Sequence, residues 1–103
     1  MVETIEQLLN APTSGAEAPT LARLEEALTD GYAHALALEA ERLRLERRIS
    51  EVAREVEGMD FSAYAEELTS LGRRLKGADG EIEALRALLD ELQQRARLSR
   101  RAS

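Results

Sequence analysis

From Leu21 onward, apolar or small residues recur at alternating steps of three and four: Leu21, Leu24, Leu28, Gly31, Ala35, Leu38, Leu45, Ile49, Val52 and Val56. Arg42 is the one charged exception. A second series follows at Phe61, Tyr64, Leu68, Leu71, Leu75, Ala78, Ile82, Leu85, Leu89, Leu92 and Ala96, with no charge in it. Alternating threes and fours over this length are a heptad repeat, the pattern of a helix that buries one stripe against another helix. Between the two series the rhythm breaks, because Val56, Met59 and Phe61 do not keep the spacing. Gly58 suits the position just past a helix end, where a left-handed backbone is common. Asp60 or Ser62 suits the cap of the next helix, with Glu66 and Glu67 near its positive end. The pattern therefore predicts an all-α fold built on a long antiparallel helical hairpin over residues 20–99. Arm 1 covers about 20–57, the turn 58–61 and arm 2 about 62–99. At 1.5 Å per residue each arm is on the order of 55 Å long.

In an antiparallel pair, a positions of one helix share layers with d positions of the other. Layers that pair residues whose numbers add to 120 satisfy this throughout. They join Val52 to Leu68, Ile49 to Leu71, Leu45 to Leu75, Leu38 to Ile82, Ala35 to Leu85 and Gly31 to Leu89. Side-chain sizes alternate across several of these layers, as close packing favours: Gly31 and Ala35 face leucines, and the long Arg42 faces Ala78. Arg42 is expected to run its stem along the seam and hold its charge in water, with Asp79 as its partner. The stretch Gly77-Ala78-Asp79-Gly80 is the weakest part of arm 2, because each glycine costs about 1 kcal/mol relative to Ala inside a helix. Leu75, Ala78 and Ile82 keep the phase, so one continuous helix is expected. Close backbone approach, or room for the Arg42 stem, would explain the glycines.

The N-terminal stretch reads differently. Val2, Ile5, Leu8 and Leu9 fall on one face of a short amphipathic segment over residues 1–10. It is too short to be stable alone, so it must dock on something. Residues 11–19, with two prolines and a glycine, have the composition of a flexible linker, and Thr20 suits a helix cap. Residues 100–103 form a basic tail. Both arms carry more apolar surface than one seam uses: Tyr32, Leu36 and Leu43 on the first, Leu88 on the second. A stripe that wide implies a further helix. A homodimer forming a four-helix bundle is the favoured source, because residues 2–9 are too few to cover both flanks.

Composition narrows the picture. Charged residues make up 33% of the chain, and it has one Phe, two Tyr and no Trp. Ala, Leu, Glu and Arg are strong helix formers, and so few aromatics suit a narrow seam. Cys is absent, which excludes disulfides, thiol catalysis and Cys-based zinc sites and fits the cytoplasm. No apolar run approaches the roughly 20 residues of a membrane span, and the acidic N-terminus has no signal-peptide pattern. A net charge of −6 argues against direct nucleic-acid binding, which rests on neutralised phosphates. Arg95, Arg97, Arg100 and Arg101 cluster at the C-terminal end, where the helix dipole favours cations; a docking tail for an acidic partner is the alternative. His34 is the single histidine and is expected to be partly exposed, since di-iron bundles need Glu-x-x-His pairs on two helices. No Gly-rich phosphate loop or nucleophile–base–acid set is visible. Pairs such as Glu51 with Arg54 and Glu91 with Arg95 fit a solvated face. Neither an enzyme nor a cofactor is expected.

The turn carries the sharpest functional hint. Asp60-Phe61-Ser62-Ala63-Tyr64-Ala65-Glu66 resembles the hairpin tip of bacterial transcript-cleavage factors of the Gre type. There an Asp-Leu-Ser-Glu-Asn-Ala-Glu stretch joins two coiled-coil arms. Asp60, Ser62, Ala65 and Glu66 match, and Ala63 stands where that family has its second acid. The resemblance implies a tip that enters the secondary channel of RNA polymerase, where the family's tip acids help hold a catalytic metal. The small hairpins of the WXG type have Trp-x-Gly at the turn, where this chain reads Glu57-Gly58-Met59. The expectation is thus a non-enzymatic protein–protein interaction module: an adaptor, a scaffold, or a chaperone whose Tyr32, Leu36 and Leu88 hold a helical client. Glu57, Met59, Asp60 and Phe61 are its candidate partner contacts, and Tyr32, Leu36, Leu43 and Leu88 its dimer contacts. The alternative is a transcription regulator acting through the tip.

Overall fold

Thr20 starts the first long helix as its residue type suggests. Its Oγ1 accepts a hydrogen bond from the Arg23 amide at 3.1 Å, and its carbonyl accepts from the Leu24 amide at 3.0 Å. Both bonds satisfy groups that a helix end otherwise leaves open. In the computed structural model, which describes residues 1–58 and 60–102 and leaves out the side chain of Val56, the elements are α1 (Val2–Asn10), α2 (Leu21–Arg54), a 3-10 turn (Val56–Gly58) and α3 (Phe61–Ala102). No strand occurs among the described residues, and α2 and α3 pack against each other as a helical hairpin. Helix α3 runs through Gly77 and Gly80 without a break and takes in Arg100 and Arg101.

The turn is made differently from the expectation. Gly15, at φ 87°, is the only residue with positive φ among those described, so Gly58 is not a left-handed cap. Helix α2 ends instead by tightening. The Glu55 amide is shared between the Glu51 and Val52 carbonyls, both at 3.1 Å, and the Gly58 amide donates to the Glu55 carbonyl at 3.1 Å. Such three-residue bonds satisfy the last carbonyls without a left-handed residue. Asp60 then caps α3, its Oδ2 accepting from the Ala63 amide at 3.3 Å. Met59 and the Val56 side chain lie outside the described residues.

Two packed units can be distinguished, Met1–Leu36 with Glu83–Ser103, and Ala37–Ile82. In the first, α1 lies on α2 and α3, and Ile5, Leu24, Leu85, Leu89, Leu92 and Ala96 are at most 1% exposed. Gly31 is buried between elements. A Cβ placed there would overlap Cδ2 of Leu89 and sit 3.4 Å from Cδ1 of Ile5. The Gly31–Leu89 layer of the expected register is therefore present, with α1 closing over it. Of the residues expected at a dimer contact, Tyr32, Leu36 and Leu43 are exposed and Leu88 is half-buried. Arg95 fixes the far end of α1. Its guanidinium donates to the carbonyls of Leu9 (3.0 Å), Ala11 (2.7 Å) and Pro12 (2.7 Å), rather than pairing with Glu91. The segment after α1 makes a turn closed by the Ala18 amide on the Gly15 carbonyl at 3.2 Å.

The second unit contains α2 and α3 alone. Leu45, Val52, Leu71 and Ala78 form its core, with Ile49, Tyr64, Leu68 and Leu75 half-buried against them. Ile82 is buried and Leu38 half-buried. Ion pairs join the two helices along the edges of the seam: Arg42 to Asp79 at 3.3 Å, Arg74 to Glu41 at 3.4 Å and Arg48 to Glu67 at 3.4 Å. Each falls near the same register. Arg42 runs along the seam as expected. Its Nε is buried without a hydrogen bond, the nearest acid being Glu46 at 3.7 Å, while its end reaches Asp79. The glycines near it are not sites of close approach. Gly77 and Gly80 are exposed, and a Cβ on either would meet nothing within 4 Å.

Candidate functional site

Large apolar side chains left in water mark where such a surface can bind. Among the described residues these are Met1, Tyr32, Leu36, Leu43, Phe61 and Leu98. Phe61 is the most exposed, at 79%. It occupies the first position of α3, next to the capping Asp60, and so projects at the turn instead of closing the seam. Exposed Glu57 and Asp60 flank it in sequence. One oxygen of Asp60 is used by the cap at Ala63. Ala63 is thus the third residue of the helix, and the acid that the Gre-type tip carries at that place has no counterpart here. Among the described residues no group of three or more His, Cys, Asp or Glu is arranged to hold a metal ion.

The outer face of α2 supplies the second apolar feature. Leu36 is 67% exposed and Leu43 51%. Ala33, Ala37 and Ala40 are exposed on the same face, because the buried seam of α2 uses the opposite side: Leu24, Leu28, Gly31, Ala35 and Leu45. Tyr32 stands at the edge of this face, its hydroxyl donating to Oε1 of Gln93 at 3.4 Å. His34 is exposed and outside the stripe.

Charged groups near these features are mostly held by local partners. Arg44 donates to Oε2 of Glu41 at 2.7 and 3.1 Å, and Arg74 reaches the other oxygen. The Arg44 hydrogen bond, helped by the charges of Arg44 and Arg74 and partly opposed by burial, holds the Glu41 carboxyl below its usual pKa. Glu51 pairs with Arg48 at 3.5 Å rather than with Arg54, and Arg100 pairs with Glu25 at 3.2 Å. Ile5 lies on the face expected to dock, but its place beside Gly31 and the bonds of Arg95 to the end of α1 are not expected from the residue pattern. The available signal was a mid-helix glycine at position 31, opposite a leucine, which makes room for a third element.

The concave places are shallow. One crevice of about 320 Å³ lies where the segment after α1 meets the two long helices, lined by Pro12, Pro19, Leu24, Arg95 and Leu98 among others. Comparisons of the chain with protein-family models, with curated proteins and with solved structures each found no match. Among the described residues no helix is long and apolar enough to cross a membrane.

Proposed function

We propose that this protein is a non-enzymatic protein–protein interaction module, an adaptor or scaffold that acts as a homodimer. The observation that carries the reading is the exposure of Leu36, Leu43 and Phe61 on a surface otherwise rich in charge. Helical side chains of that size gain from burial against a partner at about 25 cal/mol per Å² of apolar surface removed from water. The two places serve different contacts. The outer face of α2 pairs copies of the chain. The turn, with Phe61 as an apolar anchor between Glu57 and Asp60, touches a different protein.

Affinity capture from the native cell, run in parallel with the parent chain and with Phe61→Ser, tests the turn. A partner retained by the parent and lost by the variant supports the reading; an identical set of partners refutes the role of Phe61. The second reading is a transcription regulator whose turn enters the RNA polymerase channel. It draws support from the exposure of Glu57, Asp60 and Phe61 together at the turn. Reversing the charges of Glu57 and Asp60 separates the two: loss of polymerase binding with the oligomer intact favours the regulator.

A further inference from the structure

Resting on the homodimer reading, we infer that a second copy of this chain docks on the outer face of α2, and that the two α2 helices run antiparallel, centred at the level of Leu38. Helix α2 is uninterrupted from Leu21 to Arg54. On its outer face Ala33, Leu36, Ala40 and Leu43 recur at steps of three, four and three, and all four are exposed. That spacing is a second heptad seam, on the opposite side from the one that packs on α3. An antiparallel copy that pairs residues whose numbers add to 76 sets Ala33 against Leu43 of the second copy, and Leu36 against its Ala40. Every layer then joins a small residue to a large one, the rule already seen inside the chain at Gly31 and Leu89. A parallel copy would stack Leu on Leu and Ala on Ala, leaving gaps at every alanine layer.

Charge selects the same orientation. The N-terminal side of this face carries Glu26 and Asp30, and the C-terminal side carries Arg44 and Arg47. In the antiparallel register Arg47 lies opposite Thr29 of the second copy, beside that copy's Asp30. Symmetry makes the pair twice. Neither Asp30 nor Arg47 has an ion-pair partner among the described residues of its own chain. A parallel copy would bring Asp30 to Asp30 and Arg47 to Arg47, which repels. The seam also ends itself: beyond Ala33 and Leu43 the next layers hold Thr29 with Arg47, and Glu26 with Ser50, so only two chains with this register match.

The chain has no cysteine, so engineered ones report proximity cleanly. Sedimentation equilibrium of the full chain up to several hundred micromolar comes first. A monomer throughout overturns the homodimer reading and this inference with it. If a dimer forms, Leu36→Asp with Leu43→Asp should weaken it at least tenfold while helix content is kept, since both side chains are already in water. Asp30→Arg and Arg47→Asp should each weaken it by about tenfold, two charge pairs being lost. The chain carrying both reversals should regain the parent affinity. A mixture of Ala33→Cys and Leu43→Cys chains should oxidise to the mixed disulfide dimer, whereas Ala33→Cys alone should not, its two sulfurs lying about 15 Å apart along the axis. A dimer that survives Leu36→Asp with Leu43→Asp, or crosslinks through Ala33→Cys alone, keeps the homodimer and overturns the antiparallel α2 interface.

Discussion

The unit that contains α1 and the unit that lacks it solve the same packing problem unequally. Where α1 is present, six apolar side chains from three helices are at most 1% exposed, and even Ala27, off the predicted seam, is 2% exposed. Among the described residues of 37–82 only Val52 reaches that depth, and Ile49, Leu68 and Leu75 stay half-buried. The sequence pattern of the two stretches is the same heptad. The difference is therefore not in the stripe but in what covers its edges. Two helices hide one line of contact and leave its flanks in water; a third helix of only nine residues closes one flank. The two-helix stretch lines its flanks with ion pairs between Arg and acidic residues instead, and exposed pairs of this kind contribute little each. Stability should accordingly be concentrated in the three-helix unit.

Matched truncations give the largest contrast. Leu85→Ala should cost about 3–5 kcal/mol, as a fully enclosed leucine leaves a cavity. Leu75→Ala should cost about half as much, because its site opens to solvent. Denaturant titration of both variants checks this, and equal losses would remove the distinction between the units. Ile5→Ala comes next, at about 2–3 kcal/mol. Its readout is hydrogen exchange. Amides of α1 should exchange faster while those of residues 40–52 keep their protection. Arg95→Ala should loosen the same amides, since three carbonyls lose a charged donor, and Arg95→Lys should not rescue them, because a single ammonium cannot reproduce the guanidinium fork.

Glycine-to-alanine changes should have opposite signs in the two units. Gly31→Ala should destabilise by about 1–3 kcal/mol, since the new methyl must displace the enclosed Leu89. Gly77→Ala and Gly80→Ala should each stabilise by about 1 kcal/mol, because their sites are open and helical. Thermal unfolding of the three variants decides it. A loss at Gly77 or Gly80 would mean that those positions serve a contact absent from the isolated chain.

These cases also mark what was legible in advance. The seam, its register and both helix starts follow from local rules: heptad spacing, large-against-small layers, and Thr20 or Asp60 at a cap. Gly77 and Gly31 look alike in a sequence, yet one faces water and the other a leucine, and only the packed arrangement separates them. Glycine tolerates a left-handed backbone at position 58, but tolerance is not requirement, and a 3-10 turn uses the same residue otherwise. Ile5 was visible as one apolar residue on a short amphipathic segment. Where that segment docks depends on a surface made by two distant helices and on Arg95, whose bonds go to backbone carbonyls that no residue-type pattern reveals. The turn was legible as a turn; for Phe61 the sequence carried two readings, a place in the heptad series and a partner contact at the tip, and its 79% exposure agrees with the second.

The smallest expected effect concerns the flank pairs of the two-helix unit, and it depends on pH. Glu41 accepts from Arg44 and reaches Arg74 across the seam. Its carboxyl is held below the usual range, chiefly by the Arg44 hydrogen bond. A carboxylate with a lowered folded-state pKa stabilises the fold fully at pH values above its unfolded pKa, and that stabilisation is lost as pH falls through the folded value. The parent should therefore exceed Glu41→Gln in stability from neutral pH down to about 5, and the gap should narrow below about 4, where the unfolded carboxyl has its pKa near 4.3. Added salt should narrow it as well, because the group is partly exposed. Paired melts at pH 7 and pH 3 make the test. A gap of the same size at both would show that Glu41 acts through packing rather than charge, and the ion pairs would then lose their place as the two-helix unit's substitute for a third helix.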